Sequence, residues 1–212
     1  MKKDKFFLNP YLQVPKGTVL VECGKMLEKG GYVIKSLNTI NFRKSIEDIK
    51  ALPVGELAAK DCALFLWITF PCLCEALEVL AAWGFSYKTV AFVWVKQNRK
   101  NDDLFTGMGY WTRANAEICI LATKGHPKRV DAGVRQVILS HIEEHSKKPD
   151  EARERIVRLM GDLPRVELFA RQSPEGWDVW GNEVECPLSM CVAITYSYLP
   201  LSHSSASCFP TS

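Results

Sequence analysis

"ALFLWIT", residues 63–69, is an almost unbroken apolar run. A strand with one wet face alternates polar and apolar residues, so a continuous run reads as a central strand covered on both faces. Beyond Pro71, "CLCEALEVLAAWG" (72–84) reads as a helix closed by Gly84. Before the run, Ser45 and Asp48 make a helix start for "SIEDIKAL" (45–52), which Pro53 ends. "KTVAFVWVK" (88–96), "AEICILAT" (116–123), "VRQVILS" (134–140) and "RVELFAR" (165–171) read as further strands. Alternation of strand and helix with short connections predicts an α/β fold, a sheet with helices packed on it.

A last helix lies in "EHSKKPDEARERIVRLM" (144–160). Pro149 suits a first helical position, and Asp150 and Glu151 complement the positive end of the helix dipole. Ala152, Ile156, Leu159 and Met160 recur at helical spacing as one buried stripe, which leaves Arg153, Glu154 and Arg158 on the wet face. Lys147 and Lys148 stand at the helix mouth, either as a solvated pair or as a place to hold a carboxylate or phosphate.

The chain has 212 residues, enough for one domain with a proper core, and a net charge of +3 that permits a polyanionic partner without demanding one. Its eight cysteines contain no C-x-x-C pair, so a reducing cytoplasm and no structural zinc are expected. "MKKDKFFLNP" lacks the apolar run of a signal peptide, and no segment has the length of a membrane span. Residues 1–44 hold plausible short strands, "TVLVEC" and "YVIK", around Gly30-Gly31, but form no settled unit. An α/β unit is expected over 45–185, and the serine-rich end, 186–212, is expected to pack poorly. No internal repeat is visible.

The glycine-rich dinucleotide and phosphate-loop motifs are missing, as are H-E-x-x-H and G-x-S-x-G. The four histidines have no partner at metal-ligand spacing. Polar residues do gather where strands should end: Lys148, Arg171, and Asn182 with Glu183 in "GWDVWGNEV". Ligands of open α/β sheets bind outside the carboxyl ends of the strands. A lysine for a carboxylate, with an amide and an acid for ribose hydroxyls, suits an amino-acid–nucleoside such as S-adenosylmethionine. Asn182 reads equally well as a turn residue after Gly181.

Six ordered blocks, "LFLWIT", "ALEVLAAWGF", "FVWVKQN", "GYWTRANAEICILATKG", "EHSKKPDE" and "VELFARQSPEGWDVWGNE", resemble the METTL-like (MT-A-seventy) adenine methyltransferases, particularly bacterial and phage members. The resemblance implies a Rossmann-like S-adenosylmethionine-dependent methyltransferase sheet with helices on both faces, its N-terminal part incomplete or divergent. It implies methylation of the exocyclic amino group of adenine in nucleic acid, DNA favoured over RNA. By the family's pattern, Lys148 would hold the methionine carboxylate, Arg171 and Ser173 would lie near the adenosine, and Asn182 with Glu183 would bind its ribose. Trp111, Arg113 and Asn115 would lie on the substrate side, for base stacking, phosphate contact and hydrogen bonding; Trp111 packed beneath its loop is the alternative.

The family's signature is an Asp-Pro-Pro-aromatic tetrapeptide at the end of an early strand. An acid and a proline carbonyl there accept hydrogen bonds from the amino group of an extruded base. "YVIKSLNTINFRKSIEDIK" (32–50), the corresponding stretch by position, contains none. Loss of that strand and loop is the plain reading, and it should leave an open sheet edge. The alternative function is therefore a catalytically silent nucleic-acid-binding or partner subunit of the same family, in a homo- or heterodimer.

Overall fold

A computed structural model describes residues 16–22, 33–35, 41–43, 46–143, 147–180 and 184. The elements in chain order are β1 (Lys16–Glu22), β2 (Val33–Lys35), β3 (Asn41–Arg43), α1 (Ile46–Lys50), α2 (Val54–Leu57) and β4 (Ala58–Ile68). Then follow α3 (Leu73–Ala82), β5 (Ser86–Gln97), β6 (Ala116–Lys124), β7 (Val137–His141), α4 (Glu151–Met160), β8 (Arg165–Leu168) and β9 (Asp178–Trp180). One sheet runs in the order β7-β5-β6-β4-β1-β8-β9, and β2 pairs antiparallel with β3 in a separate ribbon. All neighbours in the large sheet are parallel except β6, which runs against both β4 and β5.

The apolar run at 63–69 is the axis of this arrangement. Cys62, Leu64, Leu66 and Ile68 meet Ile49 of α1 and Ala76, Val79 and Leu80 of α3 on one face. Ala63, Phe65 and Trp67 meet Ala152, Ile156 and Met160 of α4 on the other. Both faces are therefore covered by helices, which is why β4 cannot alternate. Helix α3 ends as its Gly84 foretold: Gly84 has φ 76°, its N–H donates to Ala81 O at 3.0 Å, and Phe85 N–H donates to Leu80 O at 2.9 Å. The Trp83 indole N–H reaches Ile49 O at 3.0 Å and ties α3 to α1.

Two expectations need correcting. The loss of an early strand was expected to leave the sheet open, yet β1 fills the slot beside β4, with Thr18–Val21 opposite Ala63–Leu66 and, on the other side, opposite Arg165–Leu168 of β8. The central strand therefore comes from earlier in the chain than residues 32–50, and residues 23–45 are left to connect it to α1. The second correction concerns Arg153, which was placed on the wet face of α4 and is instead only 7% exposed. Its Nε and Nη2 donate to Glu167 Oε2 and Oε1 at 2.6 and 2.8 Å, and Glu167 of β8 is wholly buried. A two-point arginine–carboxylate contact is the geometry that makes such burial tolerable.

Candidate cofactor and substrate site

The parallel strands all finish at one edge of the sheet, and β6, running the other way, starts there. Glu22, the last residue of β1, stands at that edge in register with Trp67 of β4. Lys96 comes next to last in β5 and Glu117 second in β6, so a strand end and a strand beginning bring opposite charges together. Lys96 Nζ lies 2.5 Å from Glu117 Oε1, and Lys148 Nζ lies 2.7 Å from Glu117 Oε2. Lys96 also sits over the Trp94 ring, 4.9 Å from its centroid.

The Lys148 side chain is 4% exposed and that of Glu117 is 12% exposed. Burial by itself would raise the Glu117 carboxyl, but the charges of Lys148 and Lys96 outweigh it and hold the group below its ordinary value. Two ammonium groups thus flank one carboxylate in a shielded place at the carboxyl edge of the sheet. Lysine ammonium groups are the donors that the carboxylate of an amino-acid moiety takes, so the donor set fits the methionine end of S-adenosylmethionine.

The mouth of α4 is fixed by a second network. Lys147 Nζ pairs with Glu143 at 2.5 Å and with Asp150 at 3.1 Å. Asp150 Oδ1 also accepts from Arg153 Nη1 at 2.5 Å and from Gln172 Nε2 at 2.7 Å. Burial would raise the Asp150 carboxyl, but Lys147, Arg153 and Gln172 together lower it. One carboxylate thus joins the lysine loop, the first turn of α4 and the segment after β8.

Arg171 is half-buried and Ser173 exposed, and Gln172 between them makes that join, so these two lie beside the Lys148 loop in the fold. Asn182 and Glu183 lie outside the described residues. Phe169 leaves β8 with φ 62°, a strained conformation for an aromatic residue, and its ring meets Trp180 edge-on at 4.9 Å. Strain of this kind gathers at ligand sites, and here it stands at the edge just before Arg171.

The substrate-side candidates separate. Asn115 is half-buried, and its carbonyl accepts from Lys96 N–H at 2.9 Å, beside the charge cluster. Trp111 and Arg113 lie further out on the connection from β5 to β6, both exposed. Trp111 is 91% exposed, so it does not pack beneath its loop. Lys96, Glu117 and Glu22 were missed in the sequence. The signal for the first two was present: a lysine ending the apolar run "FVWVK" and a lone acid inside "AEICILAT". Among the described residues no helix is long and apolar enough to cross a membrane, and no cluster could hold a metal ion.

The family model MT-A70 matches residues 31–183. The chain belongs to the MT-A70 family. MT-A70 methyltransferases use S-adenosylmethionine as methyl donor, which agrees with the lysine donors at the carboxyl edge. The chain is 35% identical over 141 residues to the type II methyltransferase M.MunI of Mycoplasma sp, covering 66% of this chain and 58% of that one. It is 33% identical over 145 residues to an N(6)-adenosine-methyltransferase MT-A70-like protein of Arabidopsis thaliana, covering 65% of this chain and 20% of that protein. It is 32% identical over 126 residues to the human N(6)-adenosine-methyltransferase catalytic subunit METTL3, covering 58% and 22%. The chain thus spans little more than half the length of M.MunI and about a fifth of the N(6)-adenosine-methyltransferases.

Proposed function

We propose that this chain methylates the exocyclic amino group of adenine in nucleic acid, with S-adenosylmethionine held at the carboxyl edge of the sheet. The observation that carries this reading is the shielded Lys96–Glu117–Lys148 cluster, which sets lysine donors at the carboxyl edge of the sheet, where an amino-acid carboxylate is needed. Bound there, S-adenosylmethionine supplies the methyl group. Lys148 takes the carboxylate, while Glu117 and Lys96 hold Lys148 in place; Arg171 and Ser173 border the adenosine, and Asn182 with Glu183 take the ribose. Arg113 contacts phosphate, Trp111 stacks on a base, and Asn115 hydrogen-bonds beside the cluster. DNA is favoured over RNA because the match covers a larger share of the type II methyltransferase M.MunI than of the N(6)-adenosine-methyltransferases.

By its register opposite Trp67, Glu22 ends the central strand where the missing tetrapeptide would stand, and we assign the role of the acid to it. An acid in that role would accept a hydrogen bond from the adenine amino group and orient the nitrogen lone pair. The absent Asp-Pro-Pro-aromatic sequence favours a second reading, a silent nucleic-acid-binding subunit that pairs with an active copy.

Transfer of labelled methyl to adenine-containing DNA and RNA oligonucleotides separates the two readings. The enzyme reading expects label on adenine, lost in Glu22→Gln while calorimetric affinity for S-adenosylmethionine is kept. Lys148→Ala and Asn182→Ala should each weaken that affinity at least tenfold, about 1.4 kcal/mol. A folded, cofactor-binding protein that transfers no label would favour the silent subunit. Unchanged affinity in both binding variants would overturn the cofactor assignment.

A further inference from the structure

The connection from β5 to β6 carries an apolar tip at an unusual cost. Met108, Tyr110 and Trp111 are 98%, 96% and 91% exposed, and Tyr110 meets Trp111 edge-on with ring centroids 5.6 Å apart. Large side chains grouped in water mark an interaction site far more often than isolated ones do. The tip is also preshaped. Its base is closed by Lys96 N–H to Asn115 O at 2.9 Å and Phe105 N–H to Lys96 O at 2.8 Å, and its neck by Gly107 N–H to Ala114 O at 2.9 Å. A Cβ on Gly107 would stand 2.2 Å from Ala114 O, and one on Gly109 1.8 Å from Thr112 O. The backbone folds back so closely that only glycine fits at either place, and a closed turn of this kind loses little freedom when it binds.

The composition of the tip selects a partner. Residues 105–115, "FTGMGYWTRAN", carry one cation, Arg113, and no carboxylate. Both ends of the segment lead straight to Lys96 and Glu117, so the tip rises from the same edge as the charge cluster. A polyanion with flat apolar faces satisfies the aromatic pair and Arg113 together. An enzyme acting on a base inside a duplex must unstack it, and inserted apolar side chains are a known means of doing so.

We propose that Met108, Tyr110 and Trp111 form a wedge that enters the base stack of duplex nucleic acid beside the target adenine and stabilises its extrusion. The proposal rests on the methyltransferase reading and adds a mode of substrate opening. It requires that the tip matter most when the adenine is paired, because a mispaired base has already lost part of the stacking that the wedge must break.

The test uses the full chain, S-adenosylmethionine, and fluorescent duplexes in which 2-aminopurine replaces single adenines, either paired with thymine or mispaired. The parent protein should raise the 2-aminopurine emission. Met108→Ala/Tyr110→Ala should bind the paired duplex about tenfold more weakly and lose the emission rise, while its loss on the mispaired duplex is much smaller. Both side chains are in solvent, so folding and calorimetric affinity for S-adenosylmethionine should be unchanged. Equal losses on the two duplexes, or none, would refute the wedge while leaving the methyltransferase reading standing. A parent that binds S-adenosylmethionine but no nucleic acid would refute both. Sedimentation showing a dimer that the double variant dissolves, with duplex affinity intact, would instead assign the tip to a protein interface.

Discussion

Replacing Arg153 with methionine removes the guanidinium from a carboxylate that is wholly buried in β8. Glu167 then keeps its place in the apolar core without the two hydrogen bonds of 2.6 and 2.8 Å that held it. Breaking one side of a buried pair costs roughly 3–5 kcal/mol, because the partner's desolvation remains while its attraction is gone. A domain of this size has about 5–15 kcal/mol of stability in all, so the variant should fold but be conspicuously weakened. At roughly 2–4 °C per kcal/mol, the melting midpoint followed by circular dichroism should fall by about 6–20 °C. Arg153→Met/Glu167→Leu should recover most of that loss, since a hydrophobic pair of similar volume replaces a buried ion pair at little cost. The functional consequence is separate. Asp150 loses its 2.5 Å contact from Arg153 in both variants, so the loop bearing Lys148 should hold S-adenosylmethionine less tightly even in the restabilised double variant. A single variant within about 1 kcal/mol of the parent, or a double variant no more stable than the single, would refute this account of the pair.

The Glu117 carboxyl is held below its ordinary value of 4.5, so it is protonated more readily in the unfolded chain than in the folded one. The stability it contributes is therefore present above pH 4.5 and is lost as pH falls through the lower folded value. Urea unfolding across that interval should show stability rising with pH, and Glu117→Gln should flatten the slope; an unaltered slope would contradict the cluster. Burial pushes the Cys62 thiol up to about 12, whereas Cys74 is exposed. Iodoacetamide at mildly alkaline pH should label Cys74 in the native protein and Cys62 only after denaturation, and native labelling of Cys62 would place it wrongly in the core. Gly125 has φ 64°, and a Cβ there would stand 2.3 Å from both Lys60 O and Asp61 Oδ1. Gly125→Ala should destabilise by roughly 1–3 kcal/mol in denaturant titrations, and a neutral result would exclude that close approach.

The parts of the fold legible in the sequence are those whose signal is local. The apolar runs of β4, β5 and β6 lie in unbroken stretches, and α3 carries its stop signal in Gly84, so their positions follow from composition and spacing. "TVLVEC" is legible as a strand, but its seat between β4 and β8 is not, because a parallel pairing joins segments far apart in the chain and leaves no periodic trace. Helical spacing assigns Arg153 to water because it cannot see Glu167, a residue whose place in the apolar run "RVELFA" is the one hint that a cation is needed. At the site, Lys148 stands out by its motif and its position at a helix mouth. Glu117 and Lys96 show only as single charges at the ends of apolar runs, and that they meet is not legible, since their partnership depends on β6 running against its neighbours.

That reversed strand has an evolutionary consequence. Because β5 leaves the carboxyl edge and β6 returns to it, the intervening segment from Asn98 to Asn115 is a detour that begins and ends at one place. Side chains at its tip, between Gly107 and Ala114, can change without shifting the pairing of any strand or the distance between Lys96 and Glu117. On the proposed reading, recognition of a target is thereby uncoupled from upkeep of the methyl-donor seat, because one surface insert can change on an unaltered chassis.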